Sequence, residues 1–132
     1  MAASVRRSSA RVAPRSVMRV TATSAMTLDA AVLRVPNLWL SGGSKTIGSS
    51  SQFYLFGTLT VDAGATFNAA TNNPQVFAAG DLVLNGGFSS GSGRWTFNGS
   101  APQAISAAAS FLYLTLDNPQ GLSLGGNLTI GA

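Results

Sequence analysis

Acidic side chains are the residues of this chain with the most capacity for chemistry, and there are only four of them. They are Asp29, Asp62, Asp81 and Asp117, in a sequence of 132 residues that contains no Glu, His or Cys. Two carboxyl groups about 5–9.5 Å apart, one with a raised pKa, can cleave a glycosidic bond. Asp62 follows one repeated segment and Asp81 precedes the next, so we expect them at opposite strand ends. Because neither has an Arg or Lys near it, we predict turn residues that bond local backbone N–H groups, and no catalytic residues.

Metal and cofactor sites also lack their usual residues. Without His or Cys, the chain has neither the commonest general base nor thiolate chemistry. The Gly-Gly-x-Gly-x-Asp repeat of calcium-binding rolls is missing, and the Gly-rich stretch 86–93 lacks the Gly-Lys-Ser/Thr ending of a phosphate loop. We therefore predict a protein that is not an enzyme, with no metal site and no cofactor, and interpret 86–93 as a flexible corner.

Charge divides the chain into two unlike parts. Residues 1–34 carry six Arg against one Asp, a net charge of +5, whereas residues 35–132 have a net charge of −1. All 15 Gly and all 11 aromatic residues lie after residue 38. We therefore predict an Arg/Ser/Ala-rich leader over residues 1–30, disordered or targeting-like, and a folded domain over residues 31–132. The basic charge belongs to the leader, so it does not indicate that the domain binds nucleic acid.

The leader has three interpretations. It contains no apolar run long enough for a secretory signal or a membrane span. Its composition resembles an organellar transit peptide, and the segment 17–22 is similar to green-algal chloroplast cleavage regions. Alternatively, a mis-started reading frame has added an arbitrary extension. An Arg-rich tail for nucleic acid or anionic lipid would need interleaved aromatics or an amphipathic stripe, and the leader has neither.

The domain repeats a short alternating segment. Its first apolar residues are Leu38, Leu59, Leu82 and Leu128, at steps of 21, 23 and 46, and Ile105 stands where the missing copy should begin. Within each copy apolar residues alternate with Thr, Val or Trp, which is typical of half-buried strands. Clusters of Gly, Asn and Ser between the copies indicate corners.

Short strands and corners about every 22 residues predict an all-β fold, a parallel β-solenoid (β-helix) of four to five coils. An antiparallel β-sandwich is the competing fold, but the regular repeat length favours the solenoid. We expect Leu38, Leu59, Leu82, Ile105 and Leu128 to form one interior ladder. In the strand 111–116, we expect the side chains of residues 112, 114 and 116 to point inward and those of 111, 113 and 115 to point outward.

Three segments carry a resemblance to a known group of proteins. The sequences at 57–67, 95–100 and 111–118 resemble the repeats of bacterial secreted and surface β-solenoid proteins, adhesin-like or autotransporter-like. The resemblance covers about residues 30–132. It implies a non-catalytic structural or adhesive module of a longer surface or secreted protein, located outside the cell or on its surface. The transit-like leader implies the chloroplast as the alternative location.

Aromatic residues on outer strand faces are the remaining candidates for binding. Trp39, Tyr54 and Tyr113 could stack on sugar rings, or could simply cover neighbouring Gly gaps. Two alternative functions therefore stay open: a carbohydrate-binding module on a β-helix, and a fragment of a β-helix polysaccharide-degrading enzyme. The expected partners are a polysaccharide or a cell-surface molecule. The uncharged C-terminal segment also predicts end-to-end self-association, because open strand edges and apolar ladder ends invite pairing.

Overall fold

Parallel strands make up all the regular structure that the computed structural model describes, which covers residues 3–6, 17–20, 26–29, 32–47 and 52–131, with side chains from residue 34 onward. The strands are short, with three to five residues each. Their bounds are β1 Ala3–Arg6, β2 Val17–Val20, β3 Met26–Asp29, β4 Val32–Val35, β5 Asn37–Leu40, β6 Gly43–Ile47, β7 Gln52–Leu55, β8 Leu59–Val61, β9 Ala65–Asn68, β10 Gln75–Ala78, β11 Leu82–Leu84, β12 Gly87–Ser89, β13 Arg94–Phe97, β14 Gln103–Ile105, β15 Ala109–Phe111, β16 Tyr113–Leu116, β17 Leu122–Leu124 and β18 Leu128–Ile130.

The strands form three long sheets and one short one. The first sheet has the order β17-β14-β11-β8-β5-β2, the second β1-β3-β6-β9-β12, and the third β16-β13-β10-β7-β4. Strands β15 and β18 form a separate pair. Successive strands of the chain visit the sheets in turn, so that β5–β7, β8–β10, β11–β13 and β14–β16 are four complete coils.

This arrangement confirms the predicted parallel β-solenoid and rules out the antiparallel sandwich for the described strands. Each strand pairs in parallel with the strand in the same position of a neighbouring coil, for example β5 with β8 and β8 with β11. A parallel pair needs a long crossover, and here one whole coil of the chain supplies it.

Three of the strands lie in the segment expected to be a disordered leader. The backbone of β2 pairs with β5, β1 pairs with β3, and β3 pairs with β6. At these positions the backbone is extended, because the open edges of β5 and β6 accept a further strand. The disordered or targeting-like leader over residues 1–30 stays a prediction. The rest of residues 1–30 lies outside the described residues, so the domain boundary near residue 30 stays a prediction.

The predicted interior ladder is present in four of its five positions. Leu38 pairs with Leu59, Leu59 with Leu82 and Leu82 with Ile105, and all four side chains are at most 1% exposed. Burying each such side chain contributes about 1.5–3 kcal/mol. The fifth position was predicted wrongly: Ile105 pairs with Leu124, whereas Leu128 lies in β18 opposite Ala109. The last coil step is 19 residues rather than 23, and this moves Leu128 to another face.

The segment 111–116 also differs from its predicted alternation. It is two strands, β15 and β16, separated by a bend at Leu112. Phe111 was predicted to point outward but is buried, whereas Tyr113 is exposed as expected. Leu114 pairs with the buried Trp95 and packs against the core. Because of the bend, the side chains that point inward in β16 are shifted by one residue from those expected if β15 continued as a single strand, in which inward and outward side chains alternate strictly.

Aromatic rings fill the interior of the middle coils. Trp95 is fully buried and touches the rings of Phe67, Phe97 and Phe111 at centroid distances of 5.4–6.4 Å. Its indole N–H donates to the carbonyl oxygen of Ser90 at 3.0 Å, so the one polar atom of the ring is satisfied.

Lys45 lies in the same interior row as an aromatic residue. It pairs with Phe67 in β9, is fully buried, and donates from Nζ to the carbonyl oxygen of Gly43 at 3.2 Å. Desolvation by burial lowers the pKa of Lys45 below its ordinary value of 10.5, because burial disfavours the charged form.

A stack of glycines forms one corner of the solenoid. A Cβ atom on Gly80 would overlap the backbone carbonyl of Gly57, and a Cβ atom on Gly57 would overlap that of Pro36. Only glycine allows the backbones of successive coils to approach so closely at this corner.

Candidate functional site

Two of the carboxylates form hydrogen bonds between neighbouring coils. Asp62 Oδ2 accepts a hydrogen bond of 2.8 Å from the indole Nε1 of Trp39, and Asp81 Oδ1 accepts one of 2.9 Å from the backbone N–H of Ala104. Each bond spans 23 residues of sequence and joins adjacent coils. The expected turn bonds to local backbone are therefore replaced by bonds between coils, and both carboxylates have a structural partner.

No metal-ligating cluster is present in the described part of the chain. Within it, no three acidic, His or Cys side chains come together to hold a metal ion. None of its elements is a helix long and apolar enough to cross a membrane. Every buried side-chain nitrogen or oxygen of the described residues has a hydrogen-bond partner.

The three aromatic residues proposed for stacking lie in different places. Trp39 projects from the first sheet, whereas Tyr54 and Tyr113 belong to the third sheet. Tyr54 in β7 and Tyr113 in β16 are separated by three strand spacings, about 14 Å at 4.8 Å each. The structure therefore does not bring the three rings together into one platform.

Tyr54 belongs instead to a stacked ladder that runs along the third sheet. Its ring lies 4.8 Å from the ring of Phe77, nearly parallel at 10°, and the guanidinium of Arg34 lies 5.2 Å from its centroid. Arg34 and Phe77 come from the strands on either side of β7, so both ring faces of Tyr54 already have a neighbour. Such contacts stabilise the sheet, by about 0.5–1.5 kcal/mol for an aromatic pair.

Phe56 and Phe77 are aromatic residues of this surface that the sequence analysis did not single out. Phe56 is 57% exposed and its ring lies 6.4 Å from that of Tyr54. The alternation of buried and outward side chains could have identified both. Residue 77 lies between two buried neighbours in β10, and residue 56 lies two positions after residue 54, on the same outward side.

The last coil exposes an apolar surface, which we call the end-coil face. Leu116, Leu124 and Ile130 are 47–55% exposed, yet they pair with residues that are at most 1% exposed: Phe97, Ile105 and Phe111. The half-buried residues of the same strands complete the face: Leu114, Leu122 and Leu128. These side chains hold interior positions of the solenoid without a further coil over them in this structure.

Comparison with protein-family models, with curated proteins and with solved structures finds no match to this chain. The fold and the arrangement of its side chains are therefore the basis for the function proposed below.

Proposed function

We propose that this chain is a non-catalytic structural or adhesive β-solenoid module of a surface or secreted protein. The observation that supports this most is the use of the carboxylates: Asp62 and Asp81, the side chains most suited to acid–base chemistry, join coil to coil. The proposed setting outside the cell or on its surface follows from the resemblance of the repeats at 57–67, 95–100 and 111–118 to bacterial surface proteins.

A second copy of this chain is the partner that we propose for the end-coil face. Inside the solenoid, each coil covers the apolar row of its neighbour and pairs with its strand edges. A second copy offers a coil of the same cross-section, with parallel strands and apolar rows. The strands that carry this face, β16, β17 and β18, contain no charged residue, and Asp117 is the one acidic side chain next to them in sequence. Unprotected strand edges and exposed ladder ends both favour this association.

Substitution of the carboxylates tests the proposed lack of catalysis. We expect no new reducing ends and no unsaturated uronates when the wild-type chain is incubated with pectin, alginate or xylan. We expect Asp62→Ala and Asp81→Ala to lower the free energy of unfolding by about 1 kcal/mol each, because each removes one hydrogen bond between coils. Asp117→Ala, at an exposed position, is the matched control and should leave stability unchanged.

The opposite outcome is equally specific. If the wild-type chain releases products from one of these polysaccharides, and Asp62→Ala or Asp81→Ala abolishes the release while remaining folded, then the chain is an enzyme and the structural role is wrong.

A further inference from the structure

One face of the solenoid is split between two successive coils. Strands β12 and β15 take the same position in their coils, yet no strand pairing joins them, and β15 pairs with β18 instead. An open cleft of about 370 Å³ lies at this split. Its lining includes Phe88, Ser89, Ser90, Gly91, Ser110 and Phe111.

Ser90 bridges the two coils where the strand pairing stops. Its hydroxyl donates to the backbone carbonyl of Ser110 at 2.7 Å, and its own carbonyl accepts the indole N–H of Trp95 at 3.0 Å. Gly91 then turns the chain away with a φ of 74°, in the left-handed region. A side-chain hydrogen bond thus replaces the backbone ladder, and the backbone edges of β12 and β15 around it face the cleft.

The lining combines hydroxyl groups with aromatic rings and carries no charge. Ser89 and Ser110 supply hydroxyls and Phe88 supplies an apolar wall, with the buried ring of Phe111 5.7 Å from that of Phe88. The hydroxyl of Ser90 is already used by its bond to Ser110. A charged ligand would lose hydration here without meeting an opposite charge. A neutral ligand with both hydroxyl groups and apolar C–H faces matches both parts of the lining.

We propose that this cleft binds a neutral saccharide. Its volume lies within the range of about 300–1,000 Å³ that is usual for small-molecule sites. The proposal deepens the adhesive role proposed above and rests on it. It places the contact in the split between β12 and β15, away from Trp39 and from the Tyr54 ladder.

An extended peptide is the competing occupant of two facing strand edges. A peptide strand between β12 and β15 would hold them about 9.6 Å apart, twice the usual strand spacing. The 2.7 Å hydrogen bond from Ser90 to Ser110 holds the two coils too close together for that. The observations therefore favour a ligand that sits in the mouth of the cleft.

Titration of the full chain with defined oligosaccharides, followed by amide chemical shifts, tests the proposal. The probes are cellotriose, maltotriose and xylotriose, with trigalacturonate as the anionic comparison, each to about 10 mM, which nearly saturates a site of 1 mM affinity. We expect at least one neutral trisaccharide to shift the amides of residues 88–91 and 110–112 saturably. Trigalacturonate should bind at least tenfold more weakly.

A pair of matched variants locates the site. Ser110→Trp places a large ring at the cleft, whereas Ser123→Trp places the same ring on the first sheet; both serines are exposed and lie in the middle of a strand. We expect Ser110→Trp to weaken binding at least tenfold and Ser123→Trp to leave it unchanged, with both variants retaining the wild-type circular dichroism spectrum.

Three results would overturn the saccharide site: no shift with any neutral probe, shifts that map to the Tyr54 ladder, or equal binding by the two variants. A peptide library that binds at residues 88–91 when the saccharides do not would replace the ligand class. None of these results bears on catalysis, which the carboxylate variants test separately, so failure of the cleft and failure of the structural role are distinguishable.

Discussion

The side-chain amide of Asn118 donates a hydrogen bond of 2.9 Å to the Oε1 atom of Gln103, inside the protein at one corner of the solenoid. Gln103 is 2% exposed, and its Nε2 atom donates to the carbonyl oxygens of Ala78 and Gly80 at the corner between β10 and β11. Its Oε1 atom also accepts from the backbone N–H of Gly99. One buried amide therefore satisfies backbone groups from two coils.

Loss of this amide should be costly. Gln103→Ala leaves the Gly80 carbonyl and the Gly99 N–H without the partner that Gln103 supplies, so we expect the free energy of unfolding to fall by about 3 kcal/mol. The Ala78 carbonyl keeps the N–H of Asn98, and the Asn118 amide keeps the carbonyl of Ala101. Urea denaturation followed by circular dichroism measures the change. Gln120→Ala is the control, because that side chain is exposed and its loss should cost no more than about 0.5 kcal/mol. Equal effects of the two substitutions would contradict the role of Gln103.

The middle of the interior ladder should not tolerate a charge. Leu82 is fully buried between Leu59 and Ile105, so Leu82→Asp should prevent folding, since a buried carboxylate without a partner is strongly unfavourable. Leu82→Ala should fold with a loss of about 2–5 kcal/mol. Asn85→Ser, at an exposed corner of the same coil, should leave the free energy of unfolding nearly unchanged. A folded Leu82→Asp protein with a cooperative melt would show that this ladder is not the core.

Stability should rise with pH in the alkaline range because of Lys45. Burial lowers the pKa of Lys45 in the folded protein below 10.5, so between that lowered pKa and 10.5 the unfolded chain binds more protons than the folded one. The free energy of unfolding therefore increases with pH across this window and is flat below it. We expect the Lys45→Met variant to lose this slope in thermal melts from neutral pH to about 10.5, and Arg94→Met, at an exposed position, to keep it. A wild-type slope that persists in Lys45→Met would assign it to other groups.

Association through the end-coil face should depend on its apolar surface. We expect the average mass in sedimentation velocity to rise with concentration for the wild-type chain. Thr129→Lys with Ile130→Lys should abolish the rise, because charges on β18 would be buried by a second copy. The control carries the same added charge at exposed positions of other coils, as Ala63→Lys with Asn85→Lys, and should associate as the wild type does. A wild-type chain that stays monomeric at high micromolar concentration would refute the proposed partner.

The repeated apolar alternation was sufficient to predict the solenoid and most of its interior ladder. Leu38, Leu59, Leu82 and Ile105 follow a period of two within strands and a near-constant step between them, and both patterns have direct structural meaning. Leu128 was misplaced because the last coil is shorter, and a fixed step carries no information on corner length. Interior burial of Phe111 was missed because the bend at Leu112 is not encoded by Gly, Pro or Asn.

Polar interior residues were beyond this kind of prediction. Gln103 and Lys45 occupy inward positions that alternation assigns to apolar residues, and their burial depends on partners about one coil away or on local carbonyl groups. The split between β12 and β15 is likewise a property of pairing between coils. No local segment of sequence specifies it.

Coil length in this protein varies while strand register does not. The number of residues between a strand position and its paired position in the next coil ranges from 19 to 23. The corners differ in length as well: six residues separate β9 from β10, but a single residue separates β15 from β16. The difference is taken up at corners, so an inserted or deleted corner residue does not propagate to the next coil. The unit that such a chain can duplicate during evolution is therefore one coil with its inward-pointing side chains. The corners of the copies can then diverge in length. A lineage of this kind would lose a recognisable sequence period long before it lost its shape.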